Sequence, residues 1–227
     1  MDIQVWSDVV CPWCYIGKKR LEKAIAEFPG DVTVTFRAYQ LDASHPTTPP
    51  ATRDRTEGSA PGPVRTKDAM AAKFGGPERA EQMFAHVTAI AAGDGLHLDF
   101  DRAIAANTFD AHRLVAWAAA QELQLNMIET LQRAHFSDGV DLGSHAELAR
   151  LAGEIGLDEQ AAFAYLASPA GTDAVSADLL EARELGITSV PTFVVDRKFV
   201  IQGAQEPAVL RSAVEEIARR EAVDASG

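Results

Sequence analysis

Cys11-Pro12-Trp13-Cys14 is the stretch of this sequence whose residue types and spacing can do chemistry. Just before it, Ile3 and Val5 alternate with Asp2 and Gln4, the pattern of a short strand. Pro12 then stands where a helix would begin, at a first-turn position in which its missing N–H costs nothing. A cysteine at that point sits beside the unpaired N–H groups of the first turn and the positive end of the helix macrodipole, which favour thiolate over thiol. Cys14, one turn further in, is near enough for a disulfide and less open to solvent. Cys11 is therefore expected to attack and Cys14 to resolve the mixed disulfide. Pro12 stiffens the turn, and Trp13 sets a large aromatic surface beside the attacking sulfur, where it shapes access for a partner. Two other readings stay open. Half of a zinc site would need two more ligands, and the chain has neither a second C-x-x-C nor two histidines four apart. The other is a helix that merely contains two cysteines.

A second signal is Thr188-Ser189-Val190-Pro191-Thr192, directly before a strand pattern. Proline as the first residue of a strand is tolerated without special geometry. The sharper expectation is a cis Val190–Pro191 bond beside the sulfurs, leaving the Val190 backbone to pair with an extended substrate chain. Weaker candidates have a bland reading beside the functional one. Asp8, three residues before Cys11, either exchanges protons with the pair or caps the strand end. His112 and Arg113 either face the disulfide from a helix or satisfy interhelix hydrogen bonds. Trp117, with Leu114 and Ala118 at helical spacing, reads as core, and Tyr15 and Gly17 as packing residues. His45, His86, His97, His135 and His145 show no ligand spacing.

The elements that must position these residues are legible in outline. A helix after Cys11 carries Gly17, Leu21, Ala24, Ile25 and Phe28 at helical spacing, and Pro29-Gly30 stops it. Val32, Val34 and Phe36 alternate with polar residues as a second strand. Residues 43–66 hold Pro46, Pro49, Pro50, Pro61 and Pro63 and read as an extended loop. From about 66 to 185 the pattern is helical throughout, over 67–74, 77–92, 107–123, 126–137, 144–155, 158–167 and 171–185, with Asn107 as an N-cap. Strands return at Thr192–Val195 and Phe199–Ile201 around the turn Asp196-Arg197-Lys198, and a final amphipathic helix follows. The expected fold is α/β: a mixed sheet built from 1–45 and 186–227, with a loop and an inserted α-helical subdomain over 46–185.

Composition narrows the function. The 227 residues carry 21 basic and 33 acidic side chains, a net charge of −12, and no basic cluster beyond Lys18-Lys19-Arg20, so nucleic acid is not the expected partner. No apolar run approaches a membrane span and the first residues lack the pattern of a signal peptide, so a cytoplasmic protein is expected. In a reducing cytosol two cysteines close in sequence point to redox chemistry rather than to stapling.

Strand, Cys11-Pro12-Trp13-Cys14 and helix at one end, with Val190-Pro191-Thr192 before a hairpin and helix at the other, resemble a thioredoxin fold. The helical insertion resembles that of the DsbA-like group. Asp8-Val9-Val10-Cys11-Pro12-Trp13-Cys14-Tyr15-Ile16-Gly17, Asn107-Thr108-Phe109-Asp110-Ala111-His112-Arg113 and Gly203-Ala204-Gln205 are similar to its FrnE-like branch, described as cytoplasmic dithiol–disulfide isomerases. That resemblance spans nearly the whole chain. It implies a thiol–disulfide oxidoreductase or isomerase with Cys11 and Cys14 catalytic, and with Pro12, Trp13, Val190 and Pro191 lining the substrate. Asp8, Asn107, His112 and Arg113 would be accessory. Partners would be proteins or small molecules bearing thiols or disulfides, with no bound cofactor, no metal, and glutathione as a candidate co-substrate. Some relatives carry further carboxy-terminal cysteines; this chain has none, which excludes a mechanism needing a second disulfide. Kappa-class glutathione transferases and hydroxychromene-carboxylate isomerases share the insertion and the Asn–Ala–Arg signature and offer a glutathione-dependent alternative. They usually carry serine in place of the attacking cysteine. A non-catalytic peptide-binding module would leave the cysteine pair unexplained.

Overall fold

A computed structural model describes residues 1–44 and 64–224. His45 and the five prolines of the expected 43–66 loop lie outside the described residues. The chain divides into two compact units, Met1–Tyr39 with Asp178–Gly227, and Gln40–Ala177.

The first unit is built on a mixed sheet of β1 (Asp2–Ser7), β2 (Thr33–Ala38), β3 (Thr192–Val195) and β4 (Phe199–Gln202), in the order β2-β1-β3-β4. β1 runs parallel to β2, pairing Val5 with Phe36, and antiparallel to β3, pairing Val5 with Phe193. The central strand is covered on both faces. Ile3 and Val5 are buried as the alternation predicts, but so is Trp6 on the opposite face, against Ala182, Ile187 and Val194. The Arg37 guanidinium lies 5.7 Å from the Trp6 ring and pairs with Asp178 and Glu181, closing that face with charge. α1 (Pro12–Ile25) lies over the Val5–Phe193 face, where the place a Gly17 Cβ would occupy is 3.5 Å from the Phe193 ring, and α9 (Pro207–Asp224) packs against α1. The β3–β4 hairpin turns through Asp196, Arg197 and Lys198; Asp196 and Arg197 are both left-handed, at φ 48° and 56°, and the Lys198 N–H closes the turn on the Val195 carbonyl at 3.0 Å. Asp196 tolerates this because its carboxylate and its N–H both bond the Asp2 backbone, at 2.7 and 2.8 Å.

The second unit is helical: α2 (Thr66–Phe74), α3 (Pro77–Gly93), α4 (Phe109–Ala119), α5 (Gln124–Arg133), α6 (His145–Glu154), α7 (Glu159–Ala167) and the first turns of α8 (Thr172–Glu184). Two boundaries differ from expectation. α4 stops at Ala119, because Glu122 takes a left-handed conformation and the Leu123 N–H turns back to the Ala118 carbonyl. The helix expected over 126–137 widens into a π turn at Ala134–Asp138, closed by the Val140 N–H on the Ala134 carbonyl. The last turns of α8, read from sequence as part of the insertion, belong with the sheet, where Ala182 packs on Trp6.

Candidate active site

Cys11 is the N-cap of α1, and its carbonyl accepts the first intrahelical bonds from the Cys14 and Tyr15 N–H groups. Pro12 follows at the first helical position. The Cys11 N–H is donated to the Asp8 carbonyl at 3.1 Å, so the turn between β1 and α1 is closed by backbone. Both cysteines are free and buried, Cys11 at 4% exposure and Cys14 at 1%, while Trp13 between them stands 38% exposed. Burial pushes the Cys14 thiol well above the ordinary cysteine range, and the adjoining Cys11, through its hydrogen bond and its charge, pushes it the same way; the Asp8 backbone N–H and the Ser7 hydroxyl pull weakly back. The Cys14 thiol thus holds its proton tightly.

The Val190–Pro191 loop lies against this pair. The peptide bond is cis, and the Val190 carbonyl is 3.9 Å from Cys11 Sγ. Pro191 is buried over α1 at Gly17, where a Cβ would stand only 2.7 Å from Pro191 Cγ. The glycine that sequence reading treated as packing is what lets the loop approach the helix. On the other side the Pro191 carbonyl accepts the Gly203 N–H at 2.8 Å. The structure therefore brings together Asp8, Cys11, Pro12, Trp13, Cys14, Val190 and Pro191. It adds Ser7, Gly17 and Gly203; in the sequence Gly17 stands out as a packing residue and Gly203 within the Gly203-Ala204-Gln205 run, while Ser7 carries no signal.

Asn107, His112 and Arg113 belong to the helical unit. Asn107 sits one residue before the Thr108 N-cap, and its side-chain carbonyl accepts the Phe109 N–H at 3.0 Å and the Gln40 amide at 3.0 Å. His112 is buried within α4. Arg113 spends all five donors inside the unit, on Asp110 and on the carbonyls of Leu166, Tyr165, Ser168 and Ala170. Asp110 in turn holds His145 Nε2 at 2.7 Å, so a histidine without ligand spacing in sequence completes a buried Arg113–Asp110–His145 network. No group of three or more His, Cys, Asp or Glu side chains placed to hold a metal occurs among the described residues. No described helix is long and apolar enough to cross a membrane.

Against known proteins, the DSBA-like thioredoxin domain family matches residues 2–215. The crystal structure of a probable DsbA oxidoreductase from Streptomyces coelicolor is 34% identical, covers 95% of this chain and 89% of its own, and superposes with a TM-score of 0.83. A cytosolic disulfide reductase, DsbM from Pseudomonas aeruginosa, solved with GSH, is 20% identical over 96% of this chain and all of its own, with a TM-score of 0.64. A 2-hydroxychromene-2-carboxylate isomerase is 16% identical over 98% of each chain, with a TM-score of 0.68. At those lower identities the last two share the fold, a mixed sheet with a helical insertion.

Proposed function

The chain belongs to the DsbA-like thioredoxin domain family of oxidoreductases, and on that premise we propose that it is a cytoplasmic dithiol–disulfide oxidoreductase or isomerase of the FrnE-like branch. The observation that carries the reading is the pair at the head of α1: Cys11 at the N-cap beside the Val190 carbonyl and the exposed Trp13, and Cys14 one turn further in, where burial holds its proton on. The Cys11 thiolate attacks one sulfur of a substrate disulfide. That S–S bond breaks, the electron pair leaves on the departing sulfur, and a mixed disulfide joins Cys11 to the substrate. Cys14 then gives up its proton and attacks Cys11 Sγ, releasing the second substrate sulfur as a thiol. The substrate has gained two electrons and the enzyme is left with a Cys11–Cys14 disulfide; the reverse sequence oxidises a dithiol. In isomerisation the mixed disulfide is resolved by another substrate thiol instead. Trp13 and the Val190 backbone hold the substrate chain, and Pro12 and Pro191 frame it. Glutathione, bound in the DsbM structure, is the candidate small thiol that recycles the pair. The retained Cys11 and Cys14 pair supports the dithiol reading over the glutathione-dependent transferase or isomerase alternative, in which serine usually stands at the attacking position.

Trapping tests it. Cys14→Ser keeps attack and loses resolution, so reduced protein mixed with a disulfide-bearing protein should accumulate mixed disulfides at Cys11. Cys11→Ser should accumulate none. Equal trapping by the two variants refutes the assignment of roles.

A further inference from the structure

α1 carries a buried guanidinium past the cysteines. Arg20 is 8% exposed, and a buried charge is costly unless it is paired. Nη1 donates to the Ala204 carbonyl at 2.9 Å and pairs with Glu206 Oε1 at 2.8 Å. Glu206 is 67% exposed, so solvent screens that ion pair, and the carbonyl bond is the fixed contact. Ala204 lies in a tight turn. Gly203 is left-handed at φ 77°, the Gln205 N–H returns to the Gly203 carbonyl at 2.9 Å, and the Gln205 side chain donates to the Gln202 carbonyl at 2.9 Å. The same turn gives its Gly203 N–H to Pro191. A closed ring results, all of it inside the first unit: Cys11, α1, Arg20, the Ala204 carbonyl, the Gly203 N–H, Pro191, and the Val190 carbonyl back at Cys11 Sγ. α1 holds the wall at both ends, directly where Pro191 meets Gly17 and through Arg20 on the far side of the turn.

We propose that Arg20 is a positioning residue for disulfide exchange: it fixes the Gly203–Gln205 turn and, through it, the Val190–Pro191 wall at the distance from Cys11 that an incoming substrate chain requires. This rests on the dithiol–disulfide reading and assigns a role to Gly203-Ala204-Gln205. Exchange demands that the attacking sulfur and the substrate S–S bond line up, and a displacement near 1 Å far from the chemistry can cost about 10²-fold in rate. Alkylation of Cys11 by iodoacetamide makes no such demand, because the reagent does not dock on the wall.

The test compares wild type with Arg20→Met, Arg20→Gln and Arg20→Lys as full chains, reduced before assay. Two rates are read for each, reduction of a disulfide-bearing peptide long enough to lie along Val190, and alkylation of Cys11 by iodoacetamide. Arg20→Met and Arg20→Gln should slow peptide reduction roughly tenfold or more, within the misplacement range, and leave alkylation unchanged. Arg20→Lys, which keeps a charged donor, should recover part of the loss. If the methionine variant does not fold, the glutamine variant, which retains a polar head, decides alone. Unchanged peptide reduction, or both rates falling by the same factor, overturns the inference. Wild-type protein that is alkylated at Cys11 yet reduces no peptide disulfide overturns the oxidoreductase reading and this inference with it.

Discussion

Gly17→Ala places a methyl group where the Pro191 ring already sits. The new Cβ would stand 2.7 Å from Pro191 Cγ, about 0.7 Å inside the 3.4 Å at which ordinary contact begins, with Pro191 Cβ and the Phe193 ring at 3.4 and 3.5 Å. The ring cannot swing aside as a long side chain would, and its carbonyl is tied to Gly203. Either the wall or α1 must shift by that amount. Overpacking of this kind costs about 1–3 kcal/mol, and the alanine returns about 1 kcal/mol of helix propensity at a mid-helix site. The net is a loss of about 1 kcal/mol, which for a chain of this length lowers Tm by roughly 2–4 °C. Function should suffer more. A displacement of this size at the wall costs about tenfold in exchange rate, given that about 1 Å can cost 10²-fold. Stopped-flow reduction of a peptide disulfide, followed by Trp fluorescence, and calorimetry on the same samples read both effects. A variant that gains stability by the full helix-propensity increment and exchanges at the wild-type rate would show that Pro191 does not bear on the reacting sulfurs.

Two further outcomes follow from buried groups. The folded Cys14 thiol titrates well above the ordinary value of 9.0, so the unfolded chain loses that proton first. Reduced protein should keep this contribution in full below about pH 9 and lose it progressively as the pH climbs above, by up to about 1.4 kcal/mol per pH unit. Urea midpoints for wild type and Cys14→Ser between pH 7 and 10.5 isolate it, and a flat difference between the two disproves it. Arg113→Ala removes five hydrogen bonds and strips Asp110 of its cationic partner, which should cost about 3–5 kcal/mol and lower Tm by roughly 10 °C or more. A loss under 1 kcal/mol by calorimetry would mean that the network is idle.

What could be seen in the sequence was whatever depends on neighbours along the chain. The alternation of Ile3 and Val5, the proline after Cys11 and the strand start at Thr192 each report a local preference, and the elements stand where those preferences put them. Period-two reading counts Asp2 and Gln4 as the outer face of β1, yet Trp6 on that face is fully buried, because a central strand is covered on both sides by elements the pattern does not name. The π turn at Ala134–Asp138 has no signature, since a single added residue leaves the apolar spacing almost unchanged. Glu122 ends α4 without the glycine that normally marks a left-handed residue. At the site, the cysteines declare themselves by spacing. Arg20 and Gly17 act on partners 184 and 174 positions away, and only the folded chain brings those residues into contact.

The order of the elements along the chain has a consequence for the newborn protein. β1, both sulfurs and α1 leave the ribosome first; Val190, Pro191 and the β3 strand that borders β1 follow after the whole helical unit. At about 5–20 residues per second, the roughly 175 residues between Cys14 and Val190 take about 9–35 s to make. Throughout that interval the nascent chain displays two thiols with no wall to choose what meets them, and any small disulfide in reach can react. A message truncated within the helical unit would leave that condition permanent, yielding a polypeptide that carries the reactive pair and none of the backbone that selects its partners.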